Sequence, residues 1–129
     1  MPFSKEIEAL KKIKDNLIDK TLVKIQHKKG KLSAEERLKL LLDPDSFVEL
    51  DLLAETPHTD FELDKKKKPR DGIITGYGTI NKRPVYIYAQ DFAFMGGSMG
   101  EQHTRKIGKI LDLALKTGTP IIGLLDSGG

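Results

Sequence analysis

The chain has no cysteine and no tryptophan, and only 6% of its 129 residues are aromatic. Without cysteine it forms neither a disulfide nor a thiolate zinc site. No apolar run approaches the ~20 residues needed to cross a bilayer, so direct membrane insertion is not expected. The N-terminal segment alternates charged with apolar residues and carries Glu6 and Glu8. That is unlike a signal or transit peptide, and a cytoplasmic location is expected. Charge of one sign is not in excess either. The 22 basic and 19 acidic residues leave a net +3, too little to argue for a nucleic-acid partner, which would call for a concentrated basic face. The remainder, 38% hydrophobic and 32% charged, is the composition of one ordinary globular domain.

Residues 3–29 place Ile7, Leu10, Ile13, Leu17 and Ile25 mostly three or four apart, with Lys and Glu between them. This predicts one amphipathic helix with Ser4 as N-cap and Gly30 as stop, packing on its own domain or on a partner subunit. Ser33-Ala34-Glu35-Glu36 fits a capping box. It opens a second helix with Leu38, Leu41 and Leu42 inside, ended by Asp43-Pro44. Residues 47–50 read as a short extended piece, and 54–70 as a polar loop. Within that loop His58 and Asp60 are read as solvated. The lysines at 65–68 and Arg70 form a basic run, either solvated or serving as a charge field for the phosphates of a nucleotide-like ligand.

From residue 71 the pattern becomes β-rich. Residues 73–80 and 85–89, joined by Asn81-Lys82-Arg83-Pro84, predict a hairpin. Gly76 and Gly78 share one strand face; a bend or bulge is preferred there over close approach of another segment. Residues 101–116 predict a helix with Ile107, Ile110, Leu111 and Ala114 inside. Glu101 and Lys116 complement its dipole, and Gly118 closes it. His103 is read as a surface residue facing that dipole, and Phe92 and Phe94 as core. Pro120 opens an apolar strand, so strand, helix and strand predict a parallel pair in an α/β fold.

Two glycine-bearing turns stand out: Met95-Gly96-Gly97-Ser98-Met99-Gly100 before the long helix, and Asp126-Ser127-Gly128-Gly129 after the last strand. Paired glycines let the backbone come close to a ligand. A helix start adds unpaired N–H groups and the positive end of a dipole, which suits an anion or a developing oxyanion. Rival readings fail on spacing. Gly96-Gly97-x-x-Gly100 is not a dinucleotide fingerprint, and a phosphate loop would continue into Lys-Ser/Thr where this chain has Glu101-Gln102. Asp126-Ser127-Gly128 lacks the glycine two before the serine that a nucleophile elbow requires. No His, Asp and Glu cluster has metal-ligand spacing, so no metal is expected. Electrostatic stabilisation by main-chain amides remains, with the acid or base brought by substrate or cofactor.

Asp71-Gly72-Ile73-Ile74-Thr75-Gly76-Tyr77-Gly78, Gln90-Asp91-Phe92 running into Gly96-Gly97-Ser98-Met99-Gly100-Glu101, and residues 120–129 together resemble the biotin-dependent acyl-CoA carboxyltransferases. These are the propionyl-CoA carboxylase β subunits and methylmalonyl-CoA decarboxylase α subunits. The likeness reaches back through Glu36-Arg37 and Asp43-Pro44-Asp45-Ser46-Phe47-Val48-Glu49. It implies a crotonase-like fold of repeated ββα turns, incomplete here and preceded by N-terminal helices. It also implies carboxyl transfer between carboxybiotin and a short acyl-CoA, propionyl-CoA foremost, through an enolate. In that picture the amides of Gly128 and Gly129 donate to the thioester oxygen. Met95, Gly96, Gly97 and Ser98 cover the acyl-CoA, and biotin, carried on a partner protein, serves as the base. Biotin carboxyl carrier and biotin carboxylase subunits are the implied partners, with a homo-oligomer for the full-length protein. Transfer in reverse, as in a methylmalonyl-CoA decarboxylase, is an alternative; a non-catalytic interaction domain is another. Family chains are several times longer, so the sequence reads as an N-terminal piece. Residues 1–70 would be a helical region and polar loop, and 71–129 the start of the carboxyltransferase domain. Such a piece is expected to be inactive alone and to associate through an exposed sheet edge.

Overall fold

A computed structural model describes residues 3–55 and 68–129. His58, Asp60 and the lysines at 65–67 lie outside the described residues. The chain opens with α1 (Ser4–Asp15), α2 (Lys20–Lys28) and α3 (Ala34–Leu41). The single helix expected over 3–29 is therefore broken, and Asp19 is the reason. Its Oδ1 accepts the N–H groups of Thr21 at 3.0 Å and Leu22 at 3.2 Å, a side-chain cap that starts α2 afresh. Leu17 falls in the break. Phe3 rather than Ser4 is the N-cap of α1, without a side-chain cap bond, and no α1 residue is buried by the described residues. α2 ends as expected, with Gly30 at φ 72 just beyond it. Ser33 and Glu36 exchange both capping-box bonds, at 3.2 and 2.8 Å. Leu38 and Leu42 are buried, whereas Leu41 turns outward.

Strands β1 (Val48–Leu50), β2 (Ile73–Ile80), β3 (Arg83–Gln90) and β4 (Ile121–Leu124) lie side by side in that order. The first two pairings are antiparallel. β3 pairs with β4 in parallel, with α4 (Glu101–Thr117) as the crossover. One sheet face presents Ile74, Val85, Ile87 and Ala89, which form the core with Ala34, Leu38 and Leu42. The β2–β3 ladder runs through Gly76 and Gly78 without interruption, so neither marks the bulge the sequence favoured. Close approach is their reason. A Cβ on Gly76 would stand 2.2 Å from the Val48 carbonyl oxygen and 2.7 Å from the Phe47 ring, and one on Gly78 would stand 3.1 Å from Leu42.

The hairpin reverses through Asn81 and Lys82, at φ 50 and 65, in a loop type that usually recruits glycine. Asp43 compensates from just beyond α3. Its carboxylate accepts from the Asn81 N–H (3.0 Å), the Lys82 N–H (2.8 Å) and the Thr79 hydroxyl (2.6 Å). The Thr79 hydroxyl and then the Lys82 amide hold its carboxyl below the usual range.

α4 covers the other face. Ile110 and Ala114 are buried as expected, but Leu111 is exposed, and the buried stripe runs back through Lys106 and His103. His103 is thus fully enclosed, not the surface residue expected. Lys106 has a clear task. Arg70, Asp71 and Gly72 are three successive left-handed residues, at φ 79, 47 and 74. The Lys106 ammonium donates to the carbonyls on either side of that turn, Arg70 at 3.1 Å and Ile73 at 2.6 Å. Desolvation lowers this amine from 10.5 to about 8. Between those two values the unfolded chain binds more protons than the folded one, so this group makes stability rise with pH across that window. Lys106→Met is expected to cost about 2 kcal/mol at neutral pH by taking the donor from the buried Ile73 carbonyl and leaving the Arg70 carbonyl only the Ile73 N–H at 3.2 Å. It should also remove the group's share of the rise, read as the difference from the unsubstituted protein in urea titrations at about pH 7 and about pH 10.

Candidate functional site

The two glycine turns meet. Met95–Gly97 is a single 3-10 turn in which Gly96 and Gly97 take φ 66 and 67. β4 delivers the second turn beside it, and the Gly128 N–H donates to the Gly96 carbonyl at 3.1 Å. Gly97 lies so close that a Cβ there would stand 2.1 Å from the Asp126 carbonyl oxygen. Glycine at 97 is therefore what permits the contact.

The amides singled out in sequence are engaged in this conformation. Gly128 N–H is on Gly96, and Gly129 N–H donates to the Ser127 hydroxyl at 3.0 Å. A ligand oxygen would have to take the place of these internal acceptors. The Ser98 hydroxyl donates to the Met95 carbonyl at 2.9 Å, closing its own turn. Met95 is exposed beside it.

The start of α4 is not the open anion site that the sequence suggested. Asp71, almost fully buried, places its carboxylate there: Oδ2 accepts the His103 N–H at 3.0 Å. Gly100 makes room for it, since a Cβ at 100 would lie 2.9 Å from the same oxygen. An acid distant in sequence has taken the capping role and complements the dipole. Donors for a ligand are thereby concentrated in the second turn.

The charged groups nearby are committed to partners. Asp126 pairs with Lys31 at 2.6 Å, and the Lys31 ammonium sits 4.1 Å from the centre of the Phe92 ring. Phe92 is thus a half-buried platform under a cation rather than plain core, while Phe94 packs against Gly72. Burial raises the Asp91 carboxyl, which accepts from the Ala93 N–H at 3.0 Å. Arg70 is clamped to Glu49 through two bonds of 2.7 and 2.8 Å and also bonds Glu35. It braces α3 against β1, so it does not belong to a phosphate-attracting field. Lys68 pairs loosely with Asp19, at 3.4 Å. A cleft of about 530 Å3 lies apart from the turns, beneath α1 and α2, with Leu17, Leu22, Gln26, Arg70, Asp91 and Phe94 among its walls. No glycine of either turn lines it, and we assign it no chemistry. Among the described residues no group of His, Asp and Glu could hold a metal ion, and no helix is long and apolar enough to cross a membrane.

Gln90 is the residue that sequence reasoning missed here. Its Oε1 accepts the Asp126 N–H at 2.9 Å and so holds the second turn from beneath. The available signal was its place at the end of an apolar strand, in register with buried Ile73.

A hairpin, a crossover helix and a parallel strand ending in a glycine pair make the opening of a crotonase-like core. The chain belongs to the carboxyl transferase domain family, whose model matches residues 25–129. It is 51% identical over 107 residues to the propionyl-CoA carboxylase beta chain of Cereibacter sphaeroides, covering 83% of this chain and 21% of that one. It is 49% identical over 122 residues to methylmalonyl-CoA decarboxylase subunit alpha of Veillonella parvula, covering 95% of this chain and 24% of the relative. Transcarboxylase 12S, solved as a hexamer with methylmalonyl-coenzyme A bound, superposes with a TM-score of 0.86 at 42% identity over 97% of this chain and 24% of that structure. The chain therefore spans roughly a fifth to a quarter of the length of these relatives.

Proposed function

We propose that this chain supplies the acyl-CoA side of a biotin-dependent carboxyltransferase, acting on a short acyl-CoA such as propionyl-CoA. The observation that carries this reading is the main-chain contact between the turns, Gly128 N–H to Gly96 carbonyl. It puts the amides of Gly128 and Gly129 beside Met95, Gly96, Gly97 and Ser98, with no acid or base of the chain among them. A thioester oxygen replacing the Gly96 carbonyl would meet amides suited to the negative charge that grows on it as the α-carbon becomes an enolate. Biotin, carried on a partner, supplies the carboxyl and the base. No group of this chain is assigned to hold it. Biotin carboxyl carrier and biotin carboxylase subunits are the partners that fit, in a homo-oligomer of the full-length protein.

Calorimetric titration of the full-length protein with propionyl-CoA tests the reading. Heat that free coenzyme A competes away is the expected result. No heat would reject it in favour of a non-catalytic interaction domain. The similarity to the Veillonella decarboxylase subunit over 95% of the chain supports a second reading, in which the same site runs the transfer from methylmalonyl-CoA. Copurification with a membrane subunit rather than a biotin carboxylase would select it.

A further inference from the structure

Four groups beneath the second turn form one connected line. The Asp126 N–H donates to Gln90 Oε1 at 2.9 Å. Gln90 Nε2 faces His103 Nε2 at 3.4 Å, and His103 Nδ1 lies 3.1 Å from the Asp71 carbonyl oxygen. Gln90 is 5% exposed and His103 0%. The proton positions follow from the partners. A carbonyl oxygen accepts only, so Nδ1 carries the imidazole proton. Nε2 is then a bare acceptor, matched to the amide N–H of Gln90, whose other end is fixed by Asp126. Every orientation in the line agrees with its neighbours.

We propose that Gln90 and His103 are positioning residues that hold the Asp126–Gly129 turn, by its first N–H, in register with the Met95–Gly97 turn. The proposal rests on the acyl-CoA reading of that site, but its geometry is tested apart from it. The charged groups facing His103 are Asp71, from the turn before β2, and Lys106, from its own helix. Desolvation outweighs Asp71 and keeps the imidazole pKa below its ordinary value. A second proton on the ring would set Nε2–H against the Gln90 amide N–H. Relieving that conflict requires the amide to turn over, which takes Oε1 off Asp126.

Two substitutions in the full-length protein separate positioning from packing. Gln90→Met keeps the side-chain length but removes the acceptor. Gln90→Glu keeps an acceptor for Asp126 and offers its second oxygen to a protonated His103. In Gln90→Met, amide hydrogen exchange over residues 125–129 should quicken about tenfold or more. Its kcat for acyl-CoA should fall about tenfold with KM within about twofold, as for a displaced but intact site. Gln90→Glu should recover most of both losses. Its His103 should also be doubly protonated near neutral pH by 15N NMR, whereas the unsubstituted protein should show the Nδ1–H tautomer. The proposal is overturned if exchange in Gln90→Met matches the unsubstituted protein, if Gln90→Glu is no better than Gln90→Met, or if His103 is found in the Nε2–H tautomer. A quickened exchange in a protein that binds no acyl-CoA would keep the positioning role and remove the function assigned to the site.

Discussion

Gly97→Ala is expected to cut carboxyl transfer by the full-length protein about hundredfold or more, because a displacement of about 1 Å at a positioned site has that effect. The added Cβ would stand 2.1 Å from the Asp126 carbonyl oxygen and 3.1 Å from the Ser127 Cα. Both contacts are to main chain, so no rotamer change relieves them. Alanine at φ 67 adds about 1 kcal/mol of backbone strain. The second turn must therefore move off the first, and the amides of Gly128 and Gly129 move with it. Gly128→Ala is the contrasting variant. Its Cβ would find nothing nearer than the Gly96 carbonyl at 3.9 Å, so its melting temperature should stay near that of the unsubstituted protein. Any loss of rate there reports a ligand that needs the space. Steady-state kinetics with a thermal melt on each variant decide the matter, and a Gly97→Ala protein at full rate would remove the turn contact from the mechanism.

Gly76→Val is expected to lower stability by about 3–4 kcal/mol in urea titration, at the severe end of single substitutions. β1 pairs beside β2 with Glu49 opposite Gly76, and a side chain at 76 would overlap the Val48 carbonyl and the Phe47 ring together. Valine suits a strand by propensity, so a gain would be expected if the glycine merely weakened β2. Gly78→Ala is the milder partner. Its nearest neighbours at 3.1 Å are the Leu42 and Ser46 side chains, which can shift, and a loss of about 1 kcal/mol is expected. Equal losses at the two positions would show that backbone crowding by β1 is not the cause.

The hairpin, the α3 capping box, α4 and the parallel β3–β4 pair were legible because each rests on local signals: period, cap and turn residues. The break before α2 was not. Asp19 sits among residues whose apolar spacing still suits one helix, and its own cap competes successfully with continuation. His103 was misplaced, and Lys106 was passed over, for a different reason. With Ile110 and Ala114 they keep the three-and-four spacing of the buried stripe, but a count of apolar residues skips them. Their partners, the carbonyls of Arg70, Asp71 and Ile73, are long-range. At the site, the glycine pairs were visible in sequence, whereas their mutual contact and the Asp71 plug at α4 arise from tertiary packing alone.

The three bonds that the Asp43 carboxylate accepts from the Thr79, Asn81 and Lys82 donors also act as a check on alignment. A glycine-free reversal has little local chemistry to stop β2 and β3 from pairing one residue out of step. Such a slip would turn either Ile74 of β2 or Val85 and Ile87 of β3 toward the wrong side. It would also strand an anion whose three donors had moved away. Mispairing is thus penalised from outside the two strands, by a side chain belonging to the segment that later covers them.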